Sequence, residues 1–320
     1  MNSSKKIKMG LYGRNGHQVQ NALVNHSKAE LVAVAGWGEC DLPTGLENVK
    51  RYESLEELLA DEAVELVSLC SPLRSEQAGH AVACMKAGKH VYAEKPCAMT
   101  EEDLDKIIAT SHETGMIFHE MAPTAFDQPY CTVREIVASG VVGEVIQVFS
   151  QKSYPWADWR PGDERIDGGL GLQVGVYNAR FTEHVADVKI KAISSRETLL
   201  GNDVPNSQCR RAVSFLMELE NGGVASGIAN YCCPASPGWK KWGYETVRIF
   251  GTKGFIESID SGRIGTVAVN GREPETLDFS TPGKDYLEMV LEEVATGEKV
   301  IPFSLEDEIS PTRWVIRAKR

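Results

Sequence analysis

The sequence predicts an α/β protein: an N-terminal Rossmann-like, doubly wound parallel sheet followed by a C-terminal α+β domain with a large, mostly antiparallel, open-faced sheet. Three observations carry this. Up to about Ala122, short apolar runs alternate with amphipathic helical stretches, the pattern of a parallel sheet covered on both faces. After Pro123 and Pro129, longer segments of alternating polar and apolar residues take over, as suits an antiparallel sheet with one wet face. Finally, 320 residues exceed one ordinary core, which holds about 100–150 residues. The expected domains are residues 1–122 and 123–320, with a C-terminal helix able to return to the first.

Expected strands of the first domain are Ile7–Tyr12, Glu30–Ala35, Leu66–Cys70, His90–Ala93 and Met116–Glu120. Two helices carry start signals. In SLEELLA, Ser54 and Glu57 form a capping box, and in TEEDLDKIIA, Thr100 precedes Asp103 by three positions. In the second domain the stretch YCTVREIVASG reads as a helix ending at Gly140. Strands are expected at Val145–Ser153, Ala212–Leu219, Val224–Tyr231, Glu245–Gly251 and Phe255–Ile259. In SPTRWVIRAKR, Ser310 reads as an N-cap with Pro311 at the first helical position, so the chain is expected to close on a helix.

Hydrophobic residues make up 42% and charged residues 25%, values typical of packed soluble domains. A formal net charge of −11, with no Lys/Arg-rich run to reverse it locally, argues against nucleic acid and anionic lipid as partners and for a small-molecule substrate. Eight cysteines without a C-x-x-C pair, several inside apolar segments, point to a reduced, cytoplasmic setting. No run approaches the roughly 20 apolar residues of a membrane span, and the apolar run near the N-terminus is too short for a signal peptide.

The first strand ends in GLYGRNGHQ, Gly10 to Gln18, where a dinucleotide-binding chain places its phosphate turn. Against G-x-G-x-x-G, Gly13 takes the first role, Asn15 the second and Gln18 the third. Asn tolerates positive φ best among residues with a side chain, so Asn15 is expected to keep the turn's shape with Gly16 beside it. A following helix would aim free N–H groups at the pyrophosphate. Where an acid would grip the adenosine ribose stands Gly36, with Glu39 and Asp41 slightly late. These acids favour NAD over NADP, although Arg14 could meet a 2′-phosphate. Trp37 is a candidate to stack on adenine, or to cover the sheet edge.

The stretch AGKHVYAEKP (Ala87–Pro96), with SLEELLADEAVELVSLCSP before it and TEEDLDKIIATSHETGM after it, resembles the Gfo/Idh/MocA family of NAD(P)-dependent oxidoreductases. The likeness is strong from about Lys6 to Val148 and thins through WADWR, GGLGLQVGVY and VRIFGTKGFIE. It implies that Lys95, at the carboxyl end of a parallel strand, binds the reacting oxygen beside the nicotinamide, and that the bond before Pro96 is cis. It also implies cofactor contacts from Gly10, Tyr12, Gly13, Arg14, Asn15, Gly16, His17, Trp37, Ser71, Pro72, Glu76, Glu94 and Lys95. Members usually carry D-x-G-x-H on a second-domain helix; aligned on Gly175, this chain reads Gln173 and Tyr177 instead. A Tyr there resembles the dihydrodiol dehydrogenase and glucose–fructose oxidoreductase branches, where it relays the proton. A free phenol has a pKa near 10, and a cation within about 4–6 Å lowers it by roughly 1–3 units, so Lys95 is expected to make Tyr177 a usable acid–base group. Neutral Gln173 cannot pair with Lys95 as the usual acid would. The resemblance further implies a homodimer or homotetramer.

Trp156, Trp159 and Arg160 match a family loop that reaches the substrate; aromatic faces beside an Arg suit a sugar or polyol. His184 is a candidate to line the cleft, against a structural role. Glu76 sits where relatives often have His, and as a helix-start acid it is also dipole-favourable. His119–Glu120 lacks the second His of a zinc helix and reads as strand, so no metal is expected. The adjacent Cys232 and Cys233 point to opposite faces and share no role. Two readings compete with hydride transfer to a sugar or polyol: a glycoside-cleaving enzyme with tightly held NAD, and a non-catalytic sensor of a metabolite or dinucleotide.

Overall fold

The computed structural model describes residues 5–234 and 243–319, which divide into two compact units. The first takes the chain up to Ala122 together with Arg165–Asp167 and Tyr286–Ile309; the second takes Pro123–Glu164, Gly168–Asp285 and the chain from Ser310 on. Tyr286–Ile309, assigned by sequence to the domain beginning at residue 123, therefore belongs with the first unit.

The first unit is built on β1 (Ile7–Tyr12), β2 (Ala29–Ala35), β3 (Lys50–Tyr52), α1 (Leu55–Ala60), β4 (Leu66–Leu69), α2 (Gln77–Lys86), β5 (His90–Ala93), α3 (Glu101–Thr114) and β6 (Phe118–Glu120). The strands form one parallel sheet in the order β3-β2-β1-β4-β5-β6. The chain runs outward from β1 to one edge and restarts at β4, so a topological switch point lies between β1 and β4, where open α/β sheets place ligands. β4 is buried along its whole length, as a strand covered on both faces must be. Local signals act as read. Ser54 accepts from the Glu57 N–H at 3.2 Å while the Glu57 carboxylate accepts from the Ser54 N–H at 3.3 Å, and Thr100 caps α3 by accepting from the Asp103 N–H at 3.2 Å. β3, polar and three residues long, was not legible.

One expectation fails at the centre of this unit. No α-helix follows β1; residues 20–25 run as turns, with mainly i→i−3 backbone bonds, until Asn25 (φ 54°) reverses the chain into β2. Val19 and Asn21 are weak helix formers, and too few residues remain to nucleate a helix without a cap.

The second unit comprises α4 (Tyr130–Ala138), β7 (Val145–Pro155), α5 (Glu164–Asp167, whose last three residues belong to the first unit), α6 (Gly169–Gln173), α7 (Val176–Arg180), β8 (Ile190–Thr198), β9 (Ala212–Leu219), β10 (Val224–Cys233), β11 (Tyr244–Gly251), β12 (Gly254–Ile259), β13 (Ile264–Val269) and β14 (Glu275–Thr276). Its eight-stranded sheet has the order β14-β13-β12-β11-β7-β10-β9-β8 and is antiparallel except where β10 runs parallel to β7. Alternation is strict in β9, where Val213, Phe215, Met217 and Leu219 are buried and Ser214, Leu216 and Glu218 are exposed. α6 and α7 lie on the buried face; a Cβ at Gly175, between them, would come within 2.2 Å of the Gly171 carbonyl and 2.6 Å of the Phe215 ring.

The chain closes with α8 (Tyr286–Thr296) and α9 (Leu305–Ala318). α9 does not start at Ser310 and Pro311 as read: the Asp307 N–H donates to the Ser304 hydroxyl at 3.0 Å, and Pro311 lies inside the helix. Glu306, Asp307 and Glu308 in its first turn favour the earlier start through the helix dipole. Among the described residues, no helix is long and apolar enough to cross a membrane, and no disulfide joins the eight cysteines.

Candidate functional site

In the first unit, the carboxyl ends of β1, β4 and β5 bring together most of the residues read as cofactor-binding. Gly13 leaves β1 at φ 70°, and a Cβ there would stand 2.2 Å from the Cys70 carbonyl, so only glycine lets the turn lie against the end of β4. Asn15 does not adopt the left-handed conformation expected of it; Gly16 does, at φ 136°. The Asn15 amide is instead spent as a tether, donating to the carbonyls of Ser71 at 3.3 Å, Pro72 at 3.2 Å and Ile166. Arg74, buried and absent from the sequence reading, donates to the Asn15 carbonyl at 2.5 Å.

The turn closes on Glu94, whose Oε2 accepts from the His17 N–H at 2.7 Å and faces His17 Nδ1 at 2.8 Å. Gly16 is required beneath it, because a Cβ would meet Glu94 Cγ at 2.4 Å. Burial alone would raise this carboxyl, but the His17 bond and the charges of His17, Lys95 and Arg74 outweigh it and hold the pKa at about 2. Lys95 follows, 5% exposed, with a cis bond to Pro96. Gln77, also missed from sequence, fixes this corner: its amide donates to the carbonyls of Glu94 and Pro96, the latter at 3.2 Å. Ser71 is buried, its hydroxyl 2.9 Å from His80 Nδ1.

Four of the proposed cofactor contacts sit differently. Gly10 lies within β1, where a Cβ would come within 3.1 Å of Leu58 and Val64, so its role is packing beneath α1. Tyr12 sets its ring edge-on to His80. Trp37 is 4% exposed, with Arg14 5.6 Å from its ring, which leaves no open face for adenine. Glu76 is exposed in a 3-10 turn.

The glycine turn at the switch point, the space left where Gly13 and Gly16 lack a Cβ, and a buried Glu–Lys pair at the end of β5 fit a dinucleotide lying over the strand ends. The departure is at the pyrophosphate. The helix N-terminus that normally faces it is missing, and an ionised carboxylate holds the His17 N–H.

In the second unit, period two along β7 places Ser150, Lys152 and Tyr154 on one face, and Trp156 follows just past the strand's end. Ser150 donates to Asn178 Oδ1 at 2.7 Å. Lys152 is buried, sits 3.9 Å from the centre of the Tyr177 ring, and is held by Glu245, which also accepts from the Tyr130 hydroxyl. Arg180 lies 5.5 Å from the same ring. The nearby Asp127 carboxyl is pushed up to about 6, by burial first and by Glu245 and Asp285, against the pull of Lys152. Lys152 and Glu245 were not singled out from sequence, though an inward-facing charge on an alternating strand was the available signal.

Further along that face, Gln173 accepts from the Tyr231 hydroxyl at 3.2 Å. Arg160 lies 3.6 Å from the Tyr231 ring and 5.2 Å from that of Trp159, and Arg211 lies 4.1 Å from that of Trp156. Gln173, Trp156, Trp159 and Arg160 thus share one cluster, with Tyr231 and Arg211 as members the sequence did not reveal. His184 is 1% exposed in a π-helical turn, its carbonyl accepting from Arg134 at 2.6 Å, and takes the structural role.

Comparison with known proteins accounts for this arrangement. Residues 9–121 match the family described as an oxidoreductase family with an NAD-binding Rossmann fold, and residues 130–257 match the GFO/IDH/MocA C-terminal domain. Myo-inositol 2-dehydrogenase of Thermotoga maritima is 24% identical over 247 residues, 76% of this chain and 69% of that enzyme. Trans-1,2-dihydrobenzene-1,2-diol dehydrogenase of Bos taurus is 25% identical over 248 residues, 74% of this chain and 68% of that enzyme. An oxidoreductase structure from Thermotoga maritima superposes with a TM-score of 0.84 at 23% identity, covering 98% of this chain and 97% of the other.

Proposed function

Because this chain is an oxidoreductase of the Gfo/Idh/MocA family, we propose that it transfers a hydride between a nicotinamide nucleotide and a sugar, polyol or related hydroxy or keto compound. Relatives that act on a cyclitol and on a cyclic diol support that substrate class. When bound, the nicotinamide supplies the hydride donor or acceptor. Residues of the Gly13–His17 turn, Ser71, Glu94 and Lys95 would hold the nucleotide. The acids Glu39 and Asp41 after β2 favour NAD over NADP, since they would repel a 2′-phosphate.

In this reading the Lys95 ammonium donates to the reacting oxygen and stabilises the negative charge that develops there. Tyr177 exchanges the proton with that oxygen. Lys152, anchored on Glu245, places its ammonium 3.9 Å from the centre of the ring. Gln173 orients without charge. A second copy of the chain covers the outer face of the eight-stranded sheet. The observation that carries the proposal is Lys95 itself: a buried cation at the carboxyl end of a parallel strand, beside a carboxylate held ionised. Substituting Lys95→Ala should lower kcat by about 10²–10⁴-fold, far more than it weakens NADH binding measured by fluorescence titration. Wild-type turnover in that variant would remove Lys95 from the chemistry.

A further inference from the structure

The second unit contains several guanidinium groups, those of Arg160, Arg196, Arg211 and Arg272 among them, that form no ion pair among the described residues; Arg248 and Arg263 do, meeting Glu257 at 2.5 Å and Asp260 at 2.6 Å. Arg160 and Arg211 have no carboxylate partner among the described residues, in a chain where 45 acids outnumber 34 Lys and Arg. Arg160 donates from Nη2 only to the Pro155 carbonyl, at 3.0 Å, and its Nε has no acceptor.

Both groups lie over aromatic rings, Arg160 over Tyr231 at 3.6 Å and Arg211 over Trp156 at 4.1 Å, and those two rings lie 6.5 Å apart. Stacking leaves the in-plane N–H groups of a guanidinium free to fork onto an oxyanion. Neither arginine nor Trp156 is fully buried, so a solute can reach them. The Tyr231 hydroxyl continues the cluster to Gln173. At that position a carboxylate would repel an anion and an amide does not, which gives the departure from D-x-G-x-H a physical reason.

We propose that Arg160 and Arg211 form a seat for an oxyanion on the substrate, so that the enzyme acts on an acidic sugar or polyol, one bearing a carboxylate or a phosphate, in preference to a neutral one. The proposal rests on the oxidoreductase reading for the reaction, but the seat itself is a binding site that is tested without turnover.

Binding of D-glucuronate, glucose 6-phosphate and glucose is measured by calorimetry on the full chain, with and without NADH. At least one of the two acidic sugars should bind about tenfold to a hundredfold tighter than glucose, the gain expected of one charge-assisted fork. That preference should shrink between 50 and 500 mM salt. It should collapse in Arg160→Gln and Arg211→Gln and be only partly kept in Arg160→Lys, which retains the charge without the planar fork. The two ligands separate a carboxylate seat from a phosphate seat. Gln173→Glu should weaken the acidic ligand selectively. Equal binding of acidic and neutral sugars, or no anion-dependent binding in either condition, overturns the seat; salt dependence of the wild type decides it even where a glutamine variant does not fold. Turnover of a neutral polyol with NAD, which makes no demand on the seat, tests the catalytic reading separately, so a failed seat and a failed catalytic reading give different results.

Discussion

Glu94 illustrates how much one side chain decides. A carboxylate with 1% exposure survives in the charged form because the His17 N–H and the cations Lys95 and Arg74 surround it. Its pKa is about 2 in the fold and about 4.3 when unfolded, so ionisation contributes about 3 kcal/mol of stability. Since the folded value is the lower one, that contribution is complete above about pH 5 and is lost as pH falls toward 2. Urea titrations of Glu94→Gln should therefore show a deficit of about 3 kcal/mol at pH 7 that narrows as pH is lowered from 5 to 3. A deficit independent of pH would mean that shape, not charge, is what the site needs. The E-K-P run was legible as a site because of its position after a strand. That its glutamate reaches back to the phosphate turn was not, since His17 and Glu94 are 77 residues apart.

At the scale of elements, α8 and α9 are fastened to β6 through a single imidazole. His119 lies between Glu308, at 2.8 Å from Nδ1, and Glu293, at 3.0 Å from Nε2, with the Tyr286 ring edge-on at 6.3 Å. Glu308 also accepts from the Glu120 N–H at 2.7 Å, and Glu293 from the Val300 N–H at 2.7 Å. Burial would lower the His119 pKa, and His90 faces it as a second titratable group, but the two carboxylates prevail and hold it at about 9. A raised imidazole stabilises the fold fully below about pH 6.5, and that stabilisation is lost as pH rises through about 9. The melting temperature should accordingly fall between pH 7 and pH 10, and His119→Gln should be less stable at pH 7 and decline less over that interval. An alkaline decline of the same size in His119→Gln would place its origin elsewhere. Here the sequence read HE as part of a strand, as it is in β6, but gave no hint of its partners: Glu293 and Glu308 look like ordinary helix-surface acids, and only the return of Tyr286–Ile309 to the first unit buries them.

Over the whole molecule, the outer face of the eight-stranded sheet is the feature that wants a partner. Cross-strand register aligns Leu216 with Ser226 and Phe149 with Arg248, and sets Phe250 against Phe255 with ring centres 5.7 Å apart. Leu216 is 62% exposed and Val224 43%, apolar side chains that a lone chain leaves in water. Sedimentation equilibrium should show a dimer or larger, and Leu216→Asp should shift it toward monomer without loss of secondary structure by circular dichroism. A wild type that sediments as a monomer at micromolar concentration would end this assignment.

What the sequence determined by itself is whatever rests on short-range rules. Alternation of period two drew most of the strands, caps at Ser54 and Thr100 began two helices, and a glycine at position 13 followed by E-K-P after a later strand placed the cofactor end of the sheet. Tertiary structure decided the rest because the deciding energies lie between residues distant in the chain. It withheld the helix after the phosphate turn, moved the start of α9 to Ser304, and filled the turn with Glu94. It also gave Tyr177 its neighbour Lys152 and brought Arg211 and Tyr231, which the sequence did not single out, to the Trp156 and Arg160 that it did. Burial and charge pairing depend on which surfaces fold against each other, and no local pattern records that choice.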